Sequence, residues 1–207
     1  MIMTASLVKD PLNVLICGVG GQGNILASEL FASALVEKGY YTTVGETYGA
    51  SQRGGSVMSH VRISEKHQYG PLIPQGQADI IIGFEPIETL RIAREFGNGG
   101  THVIYNPRAN YPIGVLKGEH QYPQIDAIEK ELQEICASVR AVKATDIALG
   151  QGSSQGTNIV LVGALTALPE IPLDASAFEQ MLNSRFKGTV LEQNQQLFNA
   201  GRKEILP

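Results

Sequence analysis

The sequence predicts an α/β domain: one Rossmann-like unit with a mostly parallel sheet flanked by helices. Three observations carry that expectation. Short, wholly apolar runs alternate with segments of helical period along most of the chain, the pattern of strands covered on both faces. The first apolar run ends in the Gly-rich turn Gly18-Val19-Gly20-Gly21-Gln22-Gly23 and leads straight into a helical pattern. The 207 residues suit one compact domain, read as 1–207 with an N-terminal extension at 1–11 and C-terminal helices over 174–207.

The elements follow in order. Leu12 to Cys17 is a buried strand. From Gln22 to Lys38 the pattern is helical: Leu26, Leu30 and Phe31 recur at helix spacing and Gly39 ends the segment. Tyr41 to Val44 is β-branched and aromatic, a second strand that completes a β-turn-α-β unit. Glu46 to Gly55 reads as a polar loop. Ser56 to Ser64 alternates, with Val57, Val61 and Ile63 on one side and Met58, His60 and Arg62 on the other, which predicts a strand with one face buried. Ala78 to Phe84 is another buried strand, and Pro86 opens a helix reaching Phe96. Thr101 to Tyr105 is a strand stopped by Asn106-Pro107, and Tyr111 to Pro123 is an irregular connection. Asp126 with Glu129 forms a capping signal for a helix to Ala137, and Val139 to Ala144 is a strand. Thr145 or Asp146 caps a short turn leading to Gly150. Asn158 to Leu168 is apolar nearly all round, so a buried helix is expected. Asp174 or Ser176, the latter boxed with Glu179, starts a further helix, and a Thr189–Glu192 box starts the last.

Composition narrows the function. Charged residues make up 17% of the chain and the net charge is -4, which argues against nucleic acid or an anionic membrane as the main partner. Low charge also fits a surface partly buried against another protein. The two cysteines, Cys17 and Cys136, form no C-x-x-C pair, so zinc-ribbon, thioredoxin-type and ferredoxin-type sites are excluded and no metal site is expected. Met1 to Leu7 lacks the apolar run of a signal peptide and no stretch has the length of a membrane span; a cytoplasmic protein is expected.

Two loops carry candidate chemistry. Gly18, Gly20 and Gly23 match G-x-G-x-x-G between a strand and a helix, where backbone N–H groups and the helix dipole favour an anion. The same turn reads equally as a tight strand–helix junction with no ligand. Glu46 stands about where a dinucleotide site places its ribose carboxylate. Asn24-Ile25 replace the Lys and Ser/Thr of a P-loop, which removes that reading. The second loop gathers Glu46, Tyr48, Gln52, Arg53, Gly54 and Gly55. Arg53 beside two glycines presents a planar guanidinium to a carboxylate or phosphate, or else pairs within the fold, with Glu46 a partner at hand. Both loops follow strands, so they are expected to meet at the carboxyl edge of the sheet. His60 and Arg62 either extend that polar surface or lie on a solvated strand face. Cys17 sits where a helix N-terminus would favour a thiolate, but a buried, inert core thiol is the stronger reading. No Ser-His-Asp set emerges, and the catalytic residues stay unassigned.

Taken together, Gly18 to Gly23, then Gly45 to Val57 and Ser59 to Ile63, resemble the gamma-type subunit or domain of 2-oxoacid:ferredoxin oxidoreductases. The likeness continues at Ala78 to Pro86 with Glu88 and Arg91, at Asn158 to Leu165, and at Asn194, Phe198 and Gly201. Within the family, Glu46-Thr47-Tyr48-Gly49 with Ser51 to Val57 and Phe84-Glu85-Pro86 looks most like the small subunit of the indolepyruvate branch. The resemblance implies an aryl 2-oxoacid, CoA and oxidised ferredoxin giving an aryl-acetyl-CoA, CO₂ and reduced ferredoxin. It also implies that this chain binds no redox cofactor alone. Thiamine diphosphate and iron–sulfur clusters would sit on a large partner subunit, CoA would be the co-substrate, and ferredoxin an indirect partner. Gly18, Gly20, Gly21, Gln22, Gly23, Glu46, Tyr48, Gln52, Arg53, Gly54 and Gly55 are then the candidates to seat CoA or to meet a partner's carboxylates. The alternatives are a free-standing dinucleotide-binding dehydrogenase, resting on the first turn and Glu46, and a non-enzymatic binding module of the same fold.

Overall fold

The computed structural model describes residues 6–48 and 55–206, with Tyr48 described by its backbone alone. The first apolar run forms β1 (Leu12–Val19), buried along its whole length, and passes through the Gly-rich turn into α1 (Asn24–Glu37). Then follow β2 (Tyr41–Tyr48), β3 (Ser56–Ser64), β4 (Ile80–Gly83), α2 (Pro86–Phe96) and β5 (His102–Tyr105). A single helical turn, α3 (Ile113–Leu116), interrupts the connection to α4 (Ile125–Ile135). The chain ends with β6 (Ser138–Ala141), α5 (Ala144–Gly150), α6 (Thr157–Thr166), α7 (Ala175–Arg185) and α8 (Gly188–Lys203).

The strands form one sheet in the order β2-β3-β1-β4-β5-β6. The β1–β4, β4–β5 and β5–β6 ladders are parallel, as expected for strands joined through helices. β3 runs against both of its neighbours and lies between β1 and β2. The first three strands are therefore not a simple β-turn-α-β unit: the strand that follows α1 is displaced one place outward by the strand after it.

Alternate residues of each inner strand enter two separate cores. Leu12, Val14 and Ile16 face α1, α5, α6, α7 and α8; Leu15 and Cys17 face α2 and α4. α6 is buried on every side, as its uniformly apolar sequence predicts, and packs backbone to backbone on α8 where Gly163 and Gly201 leave room. Of the two starts expected for α7, Asp174 is the cap, accepting from Ala177 N. Neither the Asp126–Glu129 nor the Thr189–Glu192 box forms, because α4 and α8 begin after Gln124 and Lys187 without a side-chain cap. Among the described residues no helix is long and apolar enough to cross a membrane.

The expectation for β3 needs correction. Both of its faces are covered, since the connection from 65 to 79 folds across the side carrying His60 and Arg62. His60 is buried, and its Nδ1 accepts from Ile73 N at 3.1 Å. Arg62 donates through Nε to Asn13 Oδ1 (3.1 Å) and through Nη1 to the carbonyls of Gly70 (3.0 Å) and Leu72 (3.2 Å). Neither residue extends a polar surface at the loops.

Candidate functional site

The carboxyl edge of β1 carries the Gly-rich turn, and much of its hydrogen bonding is internal. Gln22 folds back so that its Oε1 accepts from Val19 N at 2.7 Å and its Nε2 donates to Phe84 O at 3.3 Å. A side chain at Gly18 would place a Cβ 2.7 Å from both Gln22 Oε1 and Phe84 Cβ, so only glycine fits there. Gly21 and Gly23 have φ of 99° and 85°, in the left-handed region that a Cβ disfavours. Gly23 is the N-cap of α1 and supplies no side chain, so the first N–H groups of the helix have no side-chain acceptor.

The two Gly-rich segments meet, as expected. Gly20 N donates to Gly55 O at 2.8 Å. Next to that contact, Ser56 Oγ donates to Glu88 Oε2 at 2.6 Å and Arg91 Nε donates to the same carboxylate oxygen at 3.0 Å, tying the start of β3 to α2.

Glu46 takes a different place from the one a dinucleotide site requires. Glu46, Thr47 and Tyr48 are not loop but the end of β2. Glu46 pairs with Ser59, which pairs with Ile16, so its backbone is two strand spacings from β1, about 10 Å. It is level with the middle of β1 rather than with the turn. The inserted β3 is the physical reason, and it removes the geometry on which the dehydrogenase reading stood. Tyr48 pairs with Val57 and reaches the level of Gly18. Gln52, Arg53 and Gly54 lie outside the described residues.

A polar cavity of about 580 Å³ opens beside the turn, between the starts of α1 and α6. Gly21, Gln22 and Gly23 form one wall; Thr145, Thr157 and Asn158 form the other, and Asn194 of α8 closes the side. α6 also begins without a side-chain cap, after Gly156. Two helix N-termini therefore converge on one space, each carrying about half a positive charge. Asn158 is 5% exposed. Its Oδ1 accepts from Ile159 N at 2.9 Å, while its Nδ2 lies against Gly23 with no acceptor among the described residues. Behind the hydroxyl wall, Asn106 Nδ2 donates to Thr145 Oγ1 at 3.0 Å, and Thr145 and Thr157 share a hydroxyl pair at 3.2 Å. The lining residues are all neutral. Donors and dipoles without a fixed cation suit a phosphoryl or carboxylate group that brings its own charge.

Sequence reasoning found the first wall and missed the second. Thr145 is read only as a cap and Asn106 only as a strand stop, although Ser153 to Asn158, a small-residue run before an apolar helix, repeats the logic of the first turn. Cys17 is a buried free thiol, as its position in a core strand suggests. It points toward α2, away from the start of α1, and burial with help from Glu88 pushes its thiol far up from the ordinary 9.0.

The model of the pyruvate ferredoxin/flavodoxin oxidoreductase family matches residues 13–204. The chain is 37% identical over 195 residues to the indolepyruvate oxidoreductase subunit IorB of Archaeoglobus fulgidus, covering 94% of this chain and 96% of that one. Its fold superposes on pyruvate oxidoreductase subunit PORC of Thermotoga maritima with a TM-score of 0.72 at 21% identity, covering 94% of this chain and 97% of that one. It also superposes on the 2-oxoglutarate:ferredoxin oxidoreductase of Magnetococcus marinus, solved with 2-oxoglutarate, coenzyme A and succinyl-CoA bound. There the TM-score is 0.74 at 23% identity, over 95% of this chain and 31% of that one. The match runs from β1 through α8, across both walls of the cavity, and the chain belongs to the pyruvate ferredoxin/flavodoxin oxidoreductase family of 2-oxoacid oxidoreductase subunits.

Proposed function

We propose that this chain is the small subunit of an enzyme that converts an aryl 2-oxoacid, CoA and oxidised ferredoxin to an aryl-acetyl-CoA, CO₂ and reduced ferredoxin. In this reading it packs on a large subunit bearing thiamine diphosphate and iron–sulfur clusters, and seats the anionic groups of CoA between α1 and α6. The carrying observation is the cavity: two helix starts without side-chain caps converge on about 580 Å³ of neutral, polar space, and beside them the buried Asn158 amide nitrogen has no acceptor among the described residues. That wall chemistry complements a pyrophosphate, whose oxygens accept only. The coenzyme A bound in the Magnetococcus marinus enzyme and the name of the Archaeoglobus fulgidus relative are consistent with it.

The chain's own residues do not fit an iron–sulfur cluster. Its two cysteines are buried thiols, and a cluster draws on four ligands. In this reading the redox chemistry is supplied in trans, and this chain's work is to bind, orient and exclude water. Arg53, two residues before Gly55 in sequence, is proposed as the cation that joins these donors.

Co-expression with the large subunit tests the reading. Asn158→Asp puts a carboxylate into the cradle, and the KM for CoA should rise at least tenfold while the KM for the 2-oxoacid holds. Arg53→Ala should raise the KM for CoA or weaken assembly. Unchanged CoA kinetics in Asn158→Asp would remove the cavity from the mechanism.

A further inference from the structure

Asn106 does not line the cavity, yet it connects both walls. It is 1% exposed at the carboxyl end of β5. Its Nδ2 donates to Thr145 Oγ1 at 3.0 Å and approaches Phe84 O at 3.4 Å; its Oδ1 accepts from Thr145 N at 3.4 Å. Phe84 O is also the acceptor for Gln22 Nε2, the side chain that shapes the Gly-rich turn. One amide therefore bridges the carbonyl that holds the turn and the hydroxyl that begins the opposite wall.

A count of protons at that wall gives the consequence. A primary amide nitrogen only donates, so Thr145 Oγ1 is an acceptor toward Asn106. Thr145 and Thr157 hold two hydroxyl protons between them, and their mutual bond uses one. Whichever of the two donates to the other, one O–H is left over. Both residues line the cavity, so that proton is available to a ligand there. We infer that Asn106 is a positioning residue that fixes the donor polarity of the Thr145–Thr157 wall, so that the cavity recognises an acceptor-only phosphoanion. This rests on the reading of the cavity as the seat of CoA's anionic groups.

Asn106→Asp is close in shape but inverts the logic. An aspartate accepts the Thr145 proton, Thr157 then donates to Thr145, and no hydroxyl proton remains for the ligand. The lost donor to a charged group should raise the KM for CoA about tenfold to a hundredfold in the complex with the large subunit, with the KM for the 2-oxoacid unmoved. Thr157→Val should cost less, although Thr157 lines the cavity and Asn106 does not, because the Thr145 proton is then free to serve. Asn106→Asp also removes the donor to Phe84 O, so the threonine variants, which leave that bond in place, separate the loss of the hydroxyl proton from a disturbed turn.

Should Asn106→Asp fail to assemble, Thr145→Val and Thr157→Val carry the same test. Each single change leaves one spare proton and the pair leaves none, so the double variant should exceed the product of the singles several-fold. Equal CoA kinetics in Asn106→Asp, or multiplicative threonine effects, would overturn the inference. If Asn158→Asp raises the KM for CoA and Asn106→Asp does not, the Asn106 role alone falls. If neither moves it, the cavity reading falls and takes this inference with it.

Discussion

The backbone N–H of Gly20 donates to the carbonyl of Gly55 at 2.8 Å. That bond joins the two Gly-rich segments and fixes what each can offer a ligand. Three donors of the first turn are already taken: Gly20 N by Gly55, Val19 N by the Gln22 side chain, and Gln22 N by Val19 O at 3.2 Å. The G-x-G-x-x-G pattern builds its own turn first. What it leaves for an anion is the uncapped start of α1, which opens on the cavity it shares with α6.

The glycines of the turn should separate by mechanism. Gly18→Ala drives a Cβ into Gln22 Oε1 and Phe84 Cβ, each 2.7 Å away, and must dislodge Gln22 from Val19 N. Overpacking of this kind costs about 1–3 kcal/mol. Gly21→Ala meets open space, so its cost is the φ of 99° alone, about 1–2 kcal/mol. In a domain of this size the melting temperature falls by roughly 2–4 °C per kcal/mol. Thermal melts followed by circular dichroism check both. Gly18→Ala should also move the CoA kinetics of the complex, because Gln22 is itself part of the cavity wall.

How much of this was legible follows from what each signal encodes. Strand and helix types came from period and composition, which are local; Ser56 to Ser64 was placed at its observed bounds. The neighbour order of strands is not local. Nothing within Ser56 to Ser64 says that it inserts between β1 and β2, and that insertion carries Glu46 away from the turn. The polar alternation at His60 and Arg62 was real but its meaning was not, because the cover over it comes from the 65–79 connection, whose carbonyls Arg62 collects. The first wall of the cavity had a motif. The second had only the short run Ser153 to Asn158, since Asn106, Thr145 and Asn158 converge from three elements.

Arg62 should act as the clamp on that connection. Its fork reaches Asn13 Oδ1 and the carbonyls of Gly70 and Leu72, and its guanidinium lies 4.9 Å from the Tyr69 ring centroid. Lysine keeps the charge but cannot reproduce the planar set of donors. Arg62→Lys should cost about 1–2 kcal/mol, the worth of one or two such bonds. It should expose the 65–79 segment to limited proteolysis at sites that the parent protein protects. An unchanged digestion pattern would assign the cover to other contacts.

Both thiols should resist modification in the folded protein. Cys17 is fully buried and Cys136 nearly so. Burial is the main cause that pushes Cys17 well above the ordinary 9.0, and burial takes Cys136 up to about 11. The thiolate is the reactive form, so both access and ionisation oppose attack. Iodoacetamide at pH 8 should label neither cysteine in the native protein and both after denaturation, read by intact mass. Native labelling of Cys17 would mean that the end of β1 opens on the timescale of the reaction.

His60 should make the protein sensitive to mild acid. Its Nδ1 accepts from Ile73 N, which can only donate, so the ring proton is on Nε2 and the folded state requires the neutral tautomer. The ring is 2% exposed and stands edge-on to Phe96, with centroids 5.5 Å apart. Burial is the largest cause that lowers its pKa from 6.5; Arg62 lowers it further, and Glu95 opposes both. Below the unfolded value near 6.5 the unfolded chain binds a proton that the folded chain refuses, so ν_U exceeds ν_N and stability falls as the pH falls. Above that value both states are neutral and the contribution is complete. Urea unfolding at pH 7 and pH 5 should therefore show a larger loss for the parent protein than for His60→Gln, whose side chain offers Ile73 N an oxygen and does not titrate. The comparison of slopes isolates His60, since the carboxylates that also titrate near pH 5 are common to both proteins. Equal losses would mean that His60 takes up its proton as readily in the folded chain as in the unfolded one, so that the bond from Ile73 N does not hold the ring neutral.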